Sequence, residues 1–377
     1  MGHFRRGAAC LWCGADAAGL IGRGQFCGAC QKPGIRPNSM AMIYVRPIAM
    51  TDAARPAGAL TLAGGWCWFD RVEILERGRR PKPGDLADLT DAQRRALSAP
   101  RADFGGLGMD LPRIMGILNV TPDSFSDGGQ FLAKDAALAQ ARGMVGSADI
   151  LDIGGESTRP GAVDVANADE VARVVPVIAG LRAAGVRTAI SIDTRKADVA
   201  AAALAAGAGI VNDVAALRFD PGMAAVVAQS GAPVILMHAQ GAPSDMQNDP
   251  RYSDVALDVY DFLADRIGYA VAAGIARDRM VIDPGIGFGK TQAHNLALIR
   301  QLSLFHGLGC PILMGASRKR FIGTISGADD PQARLPGSLA VALACVAQGA
   351  QILRVHDVVE TRAALALWRA VNFGDVA

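Results

Sequence analysis

Nine polar side chains carry most of the chemistry that this sequence can do. Asp193, Asn212, Asp283 and Lys319 offer two carboxylates, an amide and one cation. That set suits a flat heterocycle with both donor and acceptor edges. A carboxylate such as Asp283 can accept two parallel hydrogen bonds from a ring N–H and a neighbouring amino group. Lys319 can donate to a carbonyl or ring nitrogen on the opposite edge. A second set, Asn119, Thr158, Arg159, Arg354 and His356, suits anionic oxygens. Arginine supplies a bidentate fork, and asparagine supplies a neutral oxygen ligand for Mg²⁺. Together the two sets call for one pocket that takes a heterocycle at one end and a phosphate or diphosphate at the other.

These residues sit where strands end. From residue 106 onward, apolar strand-like runs alternate with Ala-rich helical patterns. Strands are expected at 114–119, 149–154, 187–193, 209–213, 233–238, 280–284, 311–316 and 352–356. Helices are expected near 133–146, 167–184, 196–206, 221–230, 252–274, 292–306, 332–349 and 357–371. Eight strand–helix units in about 270 residues predict a (β/α)₈ TIM barrel in the α/β class. An open doubly wound sheet also alternates, but rarely keeps eight evenly spaced units. In a barrel the C-terminal strand ends converge on one mouth, where active sites lie. A helix cap would explain one Asp at a strand end, and that reading is kept for Asp213 and Asp198. Polar groups at all eight ends are not explained as caps. Met237 is expected to wall the pocket, and His238 beside it to be a hydrogen-bonded structural histidine.

The stretch 117–129, ILNVTPDSFSDGG, runs from apolar strand straight into a polar loop. Loops of this density at a strand end usually bind something. The totals exclude several function classes. With Lys+Arg 38 against Asp+Glu 36 there is no basic excess for nucleic acid. No apolar run reaches the length of a membrane span, and the start lacks the apolar core of a signal peptide. Seven cysteines without a secretory signal point to reduced thiols in a cytoplasm. Three regions are expected. Residues 1–39 carry two CxxC pairs, Cys10/Cys13 and Cys27/Cys30, able to place four thiolates around Zn²⁺. An idle tail, or upstream sequence ahead of a start at Met40 or Met42, reads the same stretch equally well. Residues 40–105 form a small appended subdomain: a strand at 43–46, a helix turn over 72–77, and Trp66, Trp68 and Phe69 as core. Residues 106–377 form the barrel.

The motifs, taken in order, closely resemble dihydropteroate synthase, the folate-pathway enzyme family that sulfonamides inhibit. Residues 115–129 and 152–161 (DIGGESTRPG) resemble its two signature stretches. Asp193-Thr194-Arg195-Lys196, Asn212-Asp213, Asp283-Pro284-Gly285, Ser317-Arg318-Lys319 and Arg354-Val355-His356-Asp357 follow as its later motifs. The resemblance covers about residues 106–377. It implies condensation of 6-hydroxymethyl-7,8-dihydropterin diphosphate with p-aminobenzoate, giving 7,8-dihydropteroate and diphosphate, with Mg²⁺ as cofactor and a homodimer as the assembly. The Ala-rich helix near 337–349 is the expected interface. It further implies that Asp193, Asn212, Asp283 and Lys319 hold the pterin, that Asn119 meets Mg²⁺, and that Thr158, Arg354 and His356 meet the diphosphate. Pro122, Phe125 and Pro160 would wall the p-aminobenzoate pocket. Asp193, Lys319, Arg354 and His356 are the expected catalytic groups. One departure stands out: where the family commonly has Ser after Ser-Arg-Lys, this chain has Arg320.

Two features are expected to be decoys. Gly285 to Thr291 has three residues between Gly285 and Gly289 where a phosphate-binding P-loop needs four, so it reads as a barrel loop behind the heterocycle, with Lys290 in solvent. His294 and His306 are expected on the surface. The rival readings are a pterin-binding methyltransferase on a related barrel, and a catalytically silent paralogue that serves as a binding or scaffold subunit. The first lacks the first loop and the Arg354/His356 group; a turnover assay decides the second.

Overall fold

A computed structural model describes residues 42–121, 129–157, 162, 164–241 and 246–374, with side chains from 134 in the helix that begins at 129. The cysteine pairs at 10/13 and 27/30, and Pro122, Phe125, Thr158, Arg159 and Pro160, lie outside the described residues. Residues 41–377 make one compact unit.

The unit opens with a small β structure. β1 (Tyr44–Pro47), β4 (Arg71–Leu75) and β5 (Lys82–Asp85) form an antiparallel sheet in the order β1-β4-β5, while β2 (Leu60–Thr61) pairs with β3 (Trp68–Phe69). α1 (Asp91–Ser98) follows, capped by Thr90, whose side chain accepts from the Gln93 N–H while Gln93 reaches back. Val45, Leu62, Phe69, Val72, Leu89 and Leu97 form its core, so the aromatics at 68 and 69 are buried as expected. The expected helix turn over 72–77 is instead strand β4. Its β-branched residues pair with β1 (Val45 opposite Ile74), a partner so distant in sequence that local pattern cannot report it.

The barrel strands are β6 (Arg113–Asn119), β7 (Ile150–Gly154), β8 (Ala189–Asp193), β9 (Ile210–Asp213), β10 (Val234–Met237), β11 (Met280–Asp283), β12 (Leu313–Met314) and β13 (Ile352–Val355). They form one 8-stranded sheet in the order β11-β10-β9-β8-β7-β6-β13-β12, every pair parallel. A parallel bridge between Ile282 and Ile312 joins its two edges, so the sheet closes as the (β/α)₈ pattern requires. The surrounding helices are α2 (Gly129–Met144), α3 (Asn167–Ala183), α4 (Ala197–Ala205), α5 (Met223–Ser230), α6 (Val255–Ala272), α7 (Gln292–Arg300), α8 (Arg320–Ser326), α9 (Leu335–Val346) and α10 (Val358–Phe373). Two boundaries differ from expectation. The helix expected over 292–306 stops at Arg300 and continues as a 3₁₀ segment, Leu302–Leu308. A short helix, α8, precedes α9 after β12; seven residues are too few for a 3.6-residue period to show.

Outward strand residues such as Leu118, Leu151, Ile192 and Leu236 bury against the helices. Inside, each strand contributes one apolar side chain to a floor: Met115, Ile150, Ala189, Ile210, Ile235, Val281, Leu313 and Ile352. Phe104 and Met109, from the segment before β6, close that floor from below. Above it the lining turns polar, and every polar group that reaches the mouth stands on this rigid base.

Candidate active site

Side chains two residues apart on a strand share a face. On β7 that rule puts Asp152 above Ile150; on β8 it puts Ser191 and then Asp193 above Ala189; on β9 it puts Asn212 above Ile210. β13 stacks Arg354 above Ile352 the same way. The result is a buried ionic cluster across the barrel. Arg354 donates through Nε to Asp152 Oδ2 and through Nη2 to Asp193 Oδ2, both at 2.6 Å. Asn212 donates its Nδ2 to the same Asp152 oxygen at 3.1 Å.

Asp152 is 0% exposed and is the residue that sequence reasoning left out. It reads as a motif letter inside an apolar strand, but a charged residue there faces the barrel axis, and that was the available signal. Arg354, sorted by sequence with the anion-binding set, spans both sets here. Its two bonds use two of five N–H donors, so the guanidinium retains donors for an anionic oxygen. Asp193 Oδ1, Asp152 Oδ1 and Ser191 Oγ are buried without a hydrogen-bond partner among the described residues. Unpaired buried acceptors are costly, and at the mouth of a barrel they mark a place for ligand donors.

Burial pushes the Asp193 carboxyl up to about 7; Arg354 pulls it down, and Asp152 adds to the rise. Burial also raises Asp283, opposed by the Gly285 N–H, which donates to its Oδ1 at 2.7 Å, and by Lys319 and Arg354. Lys319, at the N-terminal cap of α8, is brought down to about 8 by burial and Arg354 despite Asp283. Its Nζ donates to the Ile286 carbonyl and lies 4.4 Å from the centre of the Phe288 ring. Arg354 is held above its ordinary value: burial pulls down, but Asp152 and Asp193 outweigh it.

The remaining expected residues fall around this cluster. Asn119 ends β6 and is half-buried. Met237 ends β10 and is buried. His356 follows β13, and its Nδ1 lies 3.1 Å from Ser317 Oγ, which ties the loops after β12 and β13 together. Asp213 is a turn cap, accepting from Ala215 N at 2.8 Å and Leu217 N at 2.7 Å, while Asp198 is exposed and accepts from Asn167. Arg320 is exposed in the first turn of α8.

Two expectations need correction. Lys290 is not in solvent but 3% exposed, with Nζ 2.8 Å from His238 Nδ1. His306 is not on the surface but fully buried beneath the small β structure, its Nε2 3.0 Å from the Gln348 carbonyl. Neither burial has a local sequence signal, because the covering residues lie more than forty positions away. His238 is structural as expected: its ring packs edge-on against Phe262 with centroids 4.7 Å apart.

Beside the mouth, Glu156 accepts from Lys196 and Arg195, each at 2.9 Å, and from the Val165 N–H at 2.8 Å. Lys196 also reaches Glu170 at 2.6 Å. This buried network joins Glu156 to Val165, the two flanks of the stretch that contains Thr158, Arg159 and Pro160. A cleft of about 760 Å³ lies at the opposite end of the barrel, between residues 102–107 and the starts of β8 and β9. Its Arg182 is spent on the carbonyls of Gly207, Val186 and Thr188, and the strand-end groups are absent from it. Volume is therefore no guide to the chemistry here.

The family model of pterin binding enzymes matches residues 115–356. Over 270 residues, 71% of this chain and 95% of the relative, the sequence is 48% identical to dihydropteroate synthase of Neisseria meningitidis serogroup C. The structure of Xanthomonas albilineans dihydropteroate synthase with 4-aminobenzoic acid superposes with a TM-score of 0.68 at 49% identity, covering 73% of this chain and 98% of that one. The same enzyme in complex with 7,8-dihydropteroate gives a TM-score of 0.66 at 46% identity, covering 73% and 99%.

Proposed function

The chain belongs to the dihydropteroate synthase family, and from that premise we propose how its barrel mouth does the family's chemistry. The enzyme is a transferase of folate biosynthesis: it joins 6-hydroxymethyl-7,8-dihydropterin diphosphate to p-aminobenzoate and releases diphosphate and 7,8-dihydropteroate. The observation that carries the assignment of roles is the cluster in which Arg354 bridges Asp152 and Asp193 beside Asn212.

Asp283, Asn212 and Lys319 hold the pterin. The Asp283 carboxylate, with one lobe on the Gly285 N–H, presents the other to the N–H and amino edge. Arg354 and His356 take the diphosphate, a role the motif also gives Thr158 and Arg159. The C–O bond to the diphosphate breaks first, and its electron pair leaves with the diphosphate. The dihydropterin spreads the positive charge left on its methylene carbon, and ionised Asp193 stabilises that charge across a water-poor site. The neutral arylamine nitrogen then attacks the methylene and loses a proton to solvent or diphosphate. Asp193 acts by charge, so it must be ionised for turnover.

Asn119 fits Mg²⁺. Among the described residues no group of three or more His, Cys, Asp or Glu is arranged for a metal. A single hard amide oxygen at the mouth matches an ion that prefers substrate oxygens and water to an all-protein cage. When bound, Mg²⁺ neutralises charge on the diphosphate. A homodimer through the face of α9 and α10 is supported by exposed Val359, Leu367 and Val371 on α10; sedimentation at several protein concentrations tests it. Cytoplasmic working conditions agree with Cys67, Cys310 and Cys345, all free thiols. No helix of the described residues is long and apolar enough to cross a membrane.

The deciding experiment is diphosphate release by the full-length chain with pterin diphosphate and Mg²⁺, with and without p-aminobenzoate. Release that depends on p-aminobenzoate, with dihydropteroate formed, is the expected result. Tight pterin binding without product would refute the roles given to Asp193 and Arg354.

A further inference from the structure

The loop Gly285–Gly289 has an unusual property: a side chain takes every one of its carbonyls. Lys290 Nζ donates to Gly285 O at 2.8 Å and to Phe288 O at 3.0 Å. Lys319 Nζ takes Ile286 O, Gln247 Nε2 takes Gly287 O at 2.6 Å, and the Tyr252 hydroxyl takes Gly289 O at 2.7 Å. The loop's conformation needs this support. Gly285 has φ +70 and Gly289 has φ +61, and a Cβ at either would collide with the backbone of residues 238–240. Of these donors only Lys290 binds two of the loop's carbonyls, so it closes the loop on itself. It also lies 2.8 Å from His238 Nδ1, which clamps the loop to the end of β10.

What the loop presents to the mouth depends on that closure. The Gly285 N–H fixes the Asp283 carboxylate at 2.7 Å, and the Ile286 carbonyl sets the position of Lys319. We infer that Lys290 is a positioning residue for the pterin side of the site: it touches no substrate, and through the 285–289 loop it aims Asp283 and Lys319 at the heterocycle. The inference rests on the pterin-side reading of those two residues. A lysine suits the task because one amine on a long flexible stem reaches two loop carbonyls and the His238 ring nitrogen at once. Methionine has nearly the same shape and donates nothing.

The test uses the full-length protein and three variants, Lys290→Met, Lys290→Ala and Asp283→Asn. Lys290→Met should raise the KM for pterin diphosphate roughly tenfold, the scale of one lost buried hydrogen-bonding group, and leave the KM for p-aminobenzoate within about twofold. Methylammonium added to Lys290→Ala should recover part of the loss. An equal rise in both KM values, or a fall in kcat alone, would overturn the inference. If Asp283→Asn raises the pterin KM and Lys290→Met does not, this inference fails while the pterin-side reading stands. If Asp283→Asn leaves the pterin KM unchanged, the reading fails and takes this inference with it. Should Lys290→Met not fold, Tyr252→Phe removes a milder support of the same loop. A smaller rise confined to the pterin KM supports the inference, and no selective rise refutes it.

Discussion

Asp152→Asn removes one negative charge from the barrel axis and changes little else. The amide keeps the shape, and its oxygen can still accept the Arg354 Nε–H that Asp152 Oδ2 takes at 2.6 Å. Asp193 faces the same guanidinium from its other nitrogen, also at 2.6 Å, so the two carboxylates stand roughly 5 Å apart. At an effective dielectric near 20, two like charges at about 5 Å repel by about 3 kcal/mol, and Arg354 between them cancels part of this. A remaining 1.5 to 3 kcal/mol corresponds to roughly one to two pH units. The Asp193 carboxyl, at about 7 in the native protein, should therefore fall to between roughly 5 and 6 in the variant. Because ionised Asp193 stabilises the pterin cation, the acidic limb of kcat/KM for pterin diphosphate should move down by the same amount. The assay is steady-state turnover at saturating p-aminobenzoate from pH 5 to 9. Ionisation of the diphosphate affects both enzymes alike and cancels in the ratio of the two profiles. An acidic limb that stays in place or moves up would refute both the coupling and the electrostatic role of Asp193.

Lys319→Met should lower kcat/KM for pterin diphosphate by roughly 10- to 100-fold through loss of a charged donor, and should abolish the alkaline limb near pH 8, where native Lys319 loses its proton. A limb that persists would assign it to another group. Phe104→Ala should cost about 3 to 5 kcal/mol in urea unfolding, because the ring is 1% exposed and closes the barrel floor; a cost under about 1 kcal/mol would mean the floor seals without it. The Glu156 carboxyl is held below its ordinary range: burial raises it, but the Val165 N–H, Lys196 and Arg195 outweigh burial. Stability from such a depressed carboxyl is present above its unfolded value and lost as pH falls through the folded one. Glu156→Gln should thus be about 3 to 5 kcal/mol less stable at pH 7, and the gap should narrow progressively as the pH is taken down through the acid range, where the native carboxyl takes up its proton. Equal losses across that range would show that packing, not charge, is involved.

The barrel and its mouth were legible because strands report themselves by local pattern and their ends by polar residues. Asp193, Asn212, Asp283, Lys319 and Arg354 converge at the mouth, as strand-end polar residues of a barrel must. The misses share one physical cause, which is dependence on a distant partner. Asp152 matters because Arg354, 202 positions away, sits on it. Lys290 is buried by His238, 52 positions away, and β4 is a strand because β1 pairs with it. Charged residues beside glycines ordinarily face water, and nothing within a short window says that five carbonyls await donors. His306 was misplaced for the same reason, since its burial depends on Gln348, Gly349 and the β structure at the start of the unit.

The small β structure that precedes the barrel also sets a timetable. Tyr44 bonds to Asp261, Pro47 to Ser303 and Trp66 to Val346, partners 217, 256 and 280 residues further along. During synthesis at about 5 to 20 residues per second, the first of these residues waits roughly 10 to 45 s, and Trp66 roughly 15 to 60 s, for its partner to be made. The floor is in the same position: Phe104 is made early, but the strand that supplies Ile352 comes last. The first-made part of the unit is thus the last to be completed, and its apolar face is uncovered for most of the chain's elongation. Long-range closure of this kind is slow and exposes surface to other chains. Yield in a cell should therefore be governed less by the stability of the finished barrel than by how well the nascent protein is shielded until the eighth strand arrives.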